Sequence, residues 1–403
     1  MDSSLLADCL RPGDHIVVGQ ACGEPVGLVA QLIAQAPRLG PLHVFCGYSL
    51  NPAWEGPLPD ALRVTTYVGM GTISQLVARA GARVVPASLS QLSAQLGSRK
   101  LPADVVLLQV SPADAEGYHS LGFALDYVWD AAQVARQVVV EVNTNMPATR
   151  GAPRLHRSTV VVAGQSDAPL LEAPVKAPGE LQWQVARHVA RLVPDGASLQ
   201  LGIGSLATAI AGELQARRGL KLRSGMVGDW FLDLVTSGAI DTTTHDACLG
   251  SLAVGSGRLY QTLAREGLIG FAQPARLAVP VAQSPLMAIN SAIEVDLAGQ
   301  VNAEWLGERY VGTVGGQTDY FRAARASAGG LAILALASTT ARGTSRIVPH
   351  CSRVTSTHCD VDVIVTEHGV ADIRATSLQE RRALIAAIAA PDQRDLLMQA
   401  GRA

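Results

Sequence analysis

Short runs of aliphatic and β-branched residues, separated by stretches with helical spacing, recur along the chain and constrain its fold more than any other feature. HIVVG at 15–19, DVVLLQV at 104–110, QVVVEVN at 137–143 and STVVVAG at 158–164 form a first series. Their apolar continuity demands burial on both faces, which is the state of a parallel strand covered by helices. The segment DAPLLEAPVKAPGE at 167–180 reads as a linker. A second series follows it: SLQLGIG at 198–204, IEVDL at 293–297, LAILALAST at 331–339 and DVDVIVTEHG at 360–369. Between them Val185, Val189 and Leu192 fall near helical spacing and predict a helix from about Gln182 to Leu192. The pattern predicts two α/β domains, 1–180 and 181–403, each a mostly parallel sheet covered by helices.

Composition narrows what such a chain does. A net charge of -2 and a pI near 6.5 give no basic footprint for nucleic acid. No apolar stretch reaches the ~18 to 20 residues of a membrane span, and MDSSLLADCLRPGD lacks the basic and apolar regions of a signal peptide. The expectation is a soluble cytoplasmic protein with no membrane or nucleic-acid partner. Cysteines at 9, 22, 46, 248, 351 and 359 form no CxxC pair, so neither a disulfide framework nor a zinc site is expected. Cys351 and Cys359 have His350 and His358 beside them, but a strand would place these four on mixed faces. No metal is predicted.

Two glycine turns could carry chemistry. In LQLGIGSLATAIAGEL at 199–214, a strand breaks at Gly202-Ile203-Gly204 into a helix with Ser205 near its start. Such a turn aims backbone N–H groups and a helix dipole at an anion or an acyl oxygen. The pattern is not GxGxxG, so a dinucleotide site is not expected; a tight turn without ligand is the plain alternative. The second turn, with Gly312, Gly315 and Gly316, ends INSAIEVDLAGQVNAEWLGERYVGTVGGQTDYFR at 289–322. Asn302, just past IEVDL, offers an amide donor or simply forms a turn. Glu367 stands at a strand end, the usual ligand edge of an α/β sheet, although a capping or surface role would suit it as well.

The 289–322 string closely resembles the C-terminal domain of the acetyl-CoA hydrolase/transferase family, which includes 4-hydroxybutyrate and butyryl-CoA:acetate CoA-transferases. QVSPADAEGYHSLGFALDY at 109–127, EVNTNMPATRG at 141–151 and VTEHGVADIRATSLQERRALI at 365–385 resemble further segments of that family in the same order. The likeness runs from about Arg11 to Arg394. It implies two CoA-transferase-like domains, CoA or an acyl-CoA as substrate with no permanently bound cofactor, a small carboxylate or other small nucleophile as second substrate, and a homo-oligomer. It also implies that Gly202 and Gly204 lie near the acyl-CoA. The residue matching Asn302 and a glycine matching Gly315-Gly316 are implied to hold the thioester carbonyl, and Glu367 to position a substrate or the catalytic carboxyl. His368 replaces an aromatic residue and receives no role.

One departure matters for the chemistry. Family members attack the thioester with a glutamate in a segment resembling LKLRSGMVGDWFLDLVTSGAI, residues 220–240. Alignment on Met226, Asp229, Asp233, Leu234 and Gly238 puts Gly225 at the glutamate position. Covalent catalysis needs a carboxylate, and glycine has none. Three readings follow: a CoA-transferase with another nucleophile, for which Glu294 and Glu367 are the alternatives; a thioesterase or acyltransferase in which water or another small nucleophile fills the vacated space; or a silent acyl-CoA-binding protein.

Overall fold

The computed structural model describes residues 4–173, 176–244 and 246–400, so Met1–Ser3 of the N-terminal segment and two positions of the expected linker, 174 and 175, lie outside the described residues. The chain forms two compact units that interleave in sequence. The first comprises Met1–Pro174, Leu249–Leu277 and Tyr310–Gly315; the second comprises Val175–Cys248, Ala278–Arg309 and Gly316–Ala403.

The first unit is built on seven parallel strands in the order Ala82–Val84, Leu62–Thr66, Leu42–Cys46, His15–Val18, Val105–Val110, Gln137–Asn143 and Val161–Ser166. Every residue of Val105–Val110 is buried, Gln109 included, as a strand with helices on both faces requires. Helix Val128–Val134 packs on that strand and on His15–Val18, while helix Val26–Leu39 packs on Val161–Ser166. The chain winds outward from His15–Val18 to one edge, then returns to continue from Val105–Val110 toward the other. The reversal lies between those two strands.

Two distant segments complete this unit through backbone pairing. Leu125 N–H donates to the Ser251 carbonyl at 3.0 Å and Ala253 N–H to that of Phe123 at 2.9 Å. The rings of Tyr260 and Phe271 lie 5.7 and 5.6 Å from Phe123. The loop Tyr310–Gly315 is tied equally firmly: Gly69 N–H donates to the Gly312 carbonyl at 2.7 Å and Leu89 N–H to that of Gly315 at 3.0 Å.

In the second unit, strands Lys221–Val227, Ser198–Leu201, Leu286–Asn290, Leu331–Ala335 and Val363–Thr366 run parallel in that order, and Gly369–Asp372 returns antiparallel. Helix Gln317–Ala326 packs on Leu286–Asn290 and Leu331–Ala335, and helix Glu180–Ala190 on Val363–Thr366. The winding again reverses, here between Ser198–Leu201 and Leu286–Asn290.

The expected strand at 293–297 needs correction. The main-sheet strand is Leu286–Asn290, while the alternating run forms only Glu294–Asp296, in a small separate sheet with Val301–Asn302 and Ile347–Val348. Alternation marks a half-exposed strand, whereas central parallel strands carry apolar residues on both faces. Leu286, Met287, Ala288 and Ile289 are accordingly all buried.

Candidate functional site

Open α/β sheets bind ligands outside the carboxyl ends of their strands, where the winding reverses. In the second unit that point is flanked by the turn after Ser198–Leu201 and the loop Ser291–Ile293 after Leu286–Asn290. Gly202 and Gly204 form the turn, and a Cβ at either would meet nothing within 4 Å. Gly204 has φ +106°, a conformation that L side chains rarely adopt, so glycine is needed there for the backbone itself. The turn is half-buried and open to a ligand.

Gly225 is brought to the same turn. It lies buried within strand Lys221–Val227. Ser198 pairs with Lys221 and Leu199 with Leu222, so the same register carried forward sets Gly225 beside Gly202. The Ser224 hydroxyl donates to the Leu201 carbonyl at 2.7 Å and Trp230 Nε1 to the Gly202 carbonyl at 3.0 Å, fixing the chain on both sides of Gly225 against the turn.

The loop Ser291–Ile293 joins the remaining candidates of this unit. Gln200 and Asn290, on the two strands flanking the reversal, form a reciprocal amide pair at 3.3 and 2.7 Å. The Arg346 guanidinium donates to the Ala292 carbonyl and, through Nε, to that of Ile293 at 2.9 Å. Burial lowers its pKa and the nearby Glu367 carboxylate opposes that shift. Glu367 itself accepts from Ser338 N at 2.8 Å and Ser338 Oγ at 2.5 Å, with His368 Nε2 3.5 Å away. Gly316 is the N-cap of helix Gln317–Ala326, and the Gln317 side chain donates to the Ser291 carbonyl at 2.9 Å. Gly316, Asn302 and Glu367 are thus linked to this one loop, while Gly202, Gly204 and Gly225 gather at the turn after the neighbouring strand.

Asn302 reaches that loop through Glu294 and is fully engaged. Its Nδ2 donates to Glu294 Oε1 at 2.9 Å and to the Trp305 carbonyl at 2.8 Å; its Oδ1 accepts from Glu304 N at 3.1 Å and Trp305 N at 2.9 Å. Any donation to a thioester oxygen requires one of those amide hydrogens to change partner.

Gly315 belongs to the first unit, and both of its backbone polar groups are occupied. Its N–H donates to Thr313 Oγ1 at 3.1 Å and its carbonyl accepts from Leu89 N at 3.0 Å. The Thr313 hydroxyl in turn donates to the Tyr67 carbonyl at 3.0 Å, which also accepts from Tyr310 OH at 3.2 Å. At φ +55°, Gly315 serves as the turn residue of a latched loop. Gly316 N–H has no hydrogen-bond partner among the described residues.

Sequence reasoning missed Gln200, Asn290, Thr313, Ser338 and Arg346. Only the first two carried a local signal, being polar residues inside or at the end of otherwise apolar strands. As for metal, the described residues contain no group of three or more His, Cys, Asp or Glu able to hold an ion. Cys351 donates instead to the Gln300 carbonyl at 3.3 Å, and burial pushes its thiol well up. No helix among the described residues is long and apolar enough to cross a membrane.

Two mixed α/β units with largely parallel, helix-covered sheets define the CoA-transferase architecture. Comparison with known proteins agrees. The acetyl-CoA hydrolase/transferase N-terminal domain matches residues 1–157 and the C-terminal domain residues 255–401. A 4-hydroxybutyrate coenzyme A transferase of Clostridium kluyveri is 32% identical over 403 residues, covering 95% of this chain and 92% of that protein. RipA from Yersinia pestis superimposes with a TM-score of 0.87 at 30% identity, over 100% of this chain and 99% of that one. A 4-hydroxybutyrate CoA-transferase from Porphyromonas gingivalis gives 0.81 at 29%, over 99% and 96%. The chain belongs to the acetyl-CoA hydrolase/transferase family. Residue 225 lies in the segment matched by neither domain description.

Proposed function

We infer that the protein binds an acyl-CoA at the winding reversal of its second unit and acts on the thioester, as a cytoplasmic homo-oligomer of the kind its family implies. The observation that carries this reading is the open turn Gly202-Ile203-Gly204 beside Gly225, with Gly316 and Glu367 tied to the loop opposite. The Gly316 N–H, at the positive end of a helix dipole, is suited to the thioester oxygen; one preorganised donor of this kind is worth about 10²- to 10³-fold in rate. Gly315 acts by setting the turn, and Asn302 by holding Glu294 or by exchanging one amide hydrogen onto the substrate.

Lack of a side chain at Gly225 favours direct attack by water or another small nucleophile over a covalent route through that position. With water, the carbonyl carbon gains an oxygen, the C–S bond breaks and CoA leaves as a thiol with the proton that water gives up. Glu294 and Glu367 remain the alternative nucleophiles for CoA transfer, yet both carboxylates already accept hydrogen bonds from Asn302 and Ser338. A protein that binds acyl-CoA without turnover is the remaining reading.

Labelled acyl-CoA supplied with and without an acceptor acid distinguishes the three. Release of free thiol without acceptor is the expected result; label moving into a new thioester marks transfer, and binding without either marks a silent protein. Hydroxylamine trapping should label no carboxylate of the native chain. Calorimetry that detects no affinity for CoA or any acyl-CoA at millimolar concentration would overturn the site altogether.

A further inference from the structure

The second unit carries a basic cavity at the opposite edge of its sheet. Gly329 and Gly330, in its wall, precede strand Leu331–Ala335, and Val361 and Asp362 precede Val363–Thr366. Arg374 and Ala375 follow the antiparallel strand Gly369–Asp372, whose Asp372 pairs with Val363 at this same edge. The wall therefore gathers the amino ends of two of the parallel strands, whereas the glycine turn lies at the carboxyl end of Ser198–Leu201 in the same sheet. The cavity measures about 480 Å³, within the range of small-molecule sites.

Three guanidinium groups line it: Arg325, Arg374 and Arg381. Arg325 spends Nε on Asp362 at 3.0 Å, and Arg374 spends Nε and Nη2 on Asp372 at 2.9 and 2.5 Å. Arg381 spends Nη1 on the carbonyls of Ala298 and His358 at 3.4 and 3.1 Å. A guanidinium has five donor hydrogens, so each keeps donors in hand. Asp362 is the one carboxylate in the wall, and Asp372 just outside it pairs with Arg374, so three guanidinium groups face two carboxylates and one positive charge is left over. A positive surplus beside unspent guanidinium donors favours an anion, and the planar guanidinium fork fits phosphate oxygens two at a time.

We propose that this cavity binds the phosphoryl group of a free phosphorylated small molecule, at a place separate from the thioester chemistry. CoA also carries phosphates, so the test has to tell the two sources apart. Cys359 supplies a local reporter, because it is the exposed cysteine of the chain and stands in the cavity wall. Its alkylation by iodoacetamide, followed by peptide mapping, reads occupancy without reference to catalysis.

With inorganic pyrophosphate at ten times its Kd, labelling of Cys359 should slow about tenfold, as mass action requires when the bound form is protected. Sodium chloride at matched ionic strength should leave the rate unchanged. Arg381→Gln and, on the more exposed side of the wall, Arg374→Gln should each raise the half-protecting concentration about tenfold. Arg374→Gln keeps the test valid if Arg381→Gln fails to fold, since Arg381 also anchors two backbone carbonyls. Equal protection by chloride, or an unshifted midpoint in a folded variant, overturns the proposal. So does protection by CoA but not by pyrophosphate, which would make the cavity part of the CoA site. Because no arm measures thioester turnover, failure here leaves the proposed function standing.

Discussion

The two sheets reverse their winding in the same way, but the chain treats the two reversal points oppositely. In the first unit the loop Gly19–Glu24 is packed shut. A Cβ at Gly19 would meet the Gly23 carbonyl oxygen at 2.4 Å, and one at Gly23 would meet Ala124 Cβ at 2.4 Å. Gln109 Nε2 donates to the Cys22 carbonyl at 2.7 Å, and Glu24, fully buried, accepts from Ser49 Oγ at 2.6 Å, Asn51 Nδ2 at 2.9 Å and Trp54 Nε1 at 2.7 Å. In the second unit Gly202 and Gly204 face open space. Glycine thus lets backbone and side chains close up at one reversal and leaves room for a ligand at the other. A glycine-rich strand-to-helix turn is therefore ambiguous until its neighbours are known.

The contrast is open to attack by mutation, most severely at Gly23. Gly23→Val forces a side chain into Ala124 and should cost about 3 kcal/mol of stability or more, read as a drop in the urea midpoint at constant slope. A midpoint within error of the native protein would show that the first reversal is not close-packed.

Glu24 gives the next largest effect, through pH. Burial outweighs its three donors and pushes its carboxyl up to about 7, against an ordinary value of about 4.5. The native state then holds the proton more tightly than the unfolded chain. The stability tied to this group is fully present below about 4.5 and is lost as pH rises to about 7, a fall of roughly 3 kcal/mol. Glu24→Gln should remove that fall. Asp126, also buried and raised to about 6, adds a slope of the same sign in both proteins, so their difference isolates Glu24. Parallel stability curves from pH 4 to 8 would refute the assignment.

Gly202→Ala sharpens the comparison from the open side. With no atom near the new methyl, stability should stay within about 0.5 kcal/mol of native, while acyl-CoA affinity measured by calorimetry weakens about tenfold. Large destabilisation with unchanged affinity is the pattern that would reverse the argument.

The smallest effect is expected at Thr313. Thr313→Val removes the hydroxyl between Tyr67 O and Gly315 N, worth about 1 kcal/mol. Hydrogen exchange should quicken at Gly315 and thioester turnover should fall, whereas Thr313→Ser should preserve both. Equal behaviour of the two variants would leave the hydroxyl without a role.

Much of the fold was legible because its signals are local. The run at 137–143 forms the strand Gln137–Asn143 with the predicted bounds, and the predicted helix near 182–192 spans Glu180–Ala190. The run at 158–164 gives Val161–Ser166, displaced because Arg157–Thr159 tightens into a 3-10 turn. Leu42–Cys46 and Leu62–Thr66 escaped notice, since His43 and Arg63 interrupt the apolar pattern, and Arg63 points to solvent.

By itself, then, the sequence determined the alternation of buried strands and helices, the two glycine turns, the family and the glycine at position 225, all of which rest on residue type and on neighbours along the chain. Tertiary structure decided the rest: that Leu249–Leu277 and Tyr310–Gly315 join the first unit, that Thr313 and Leu89 occupy both polar groups of Gly315, and that Asn302 spends its amide within its own turn. The reason is physical. Backbone hydrogen bonds and buried polar partners are chosen among groups that folding brings together from distant parts of the chain, and nothing in a residue's near neighbours records which partner it will meet.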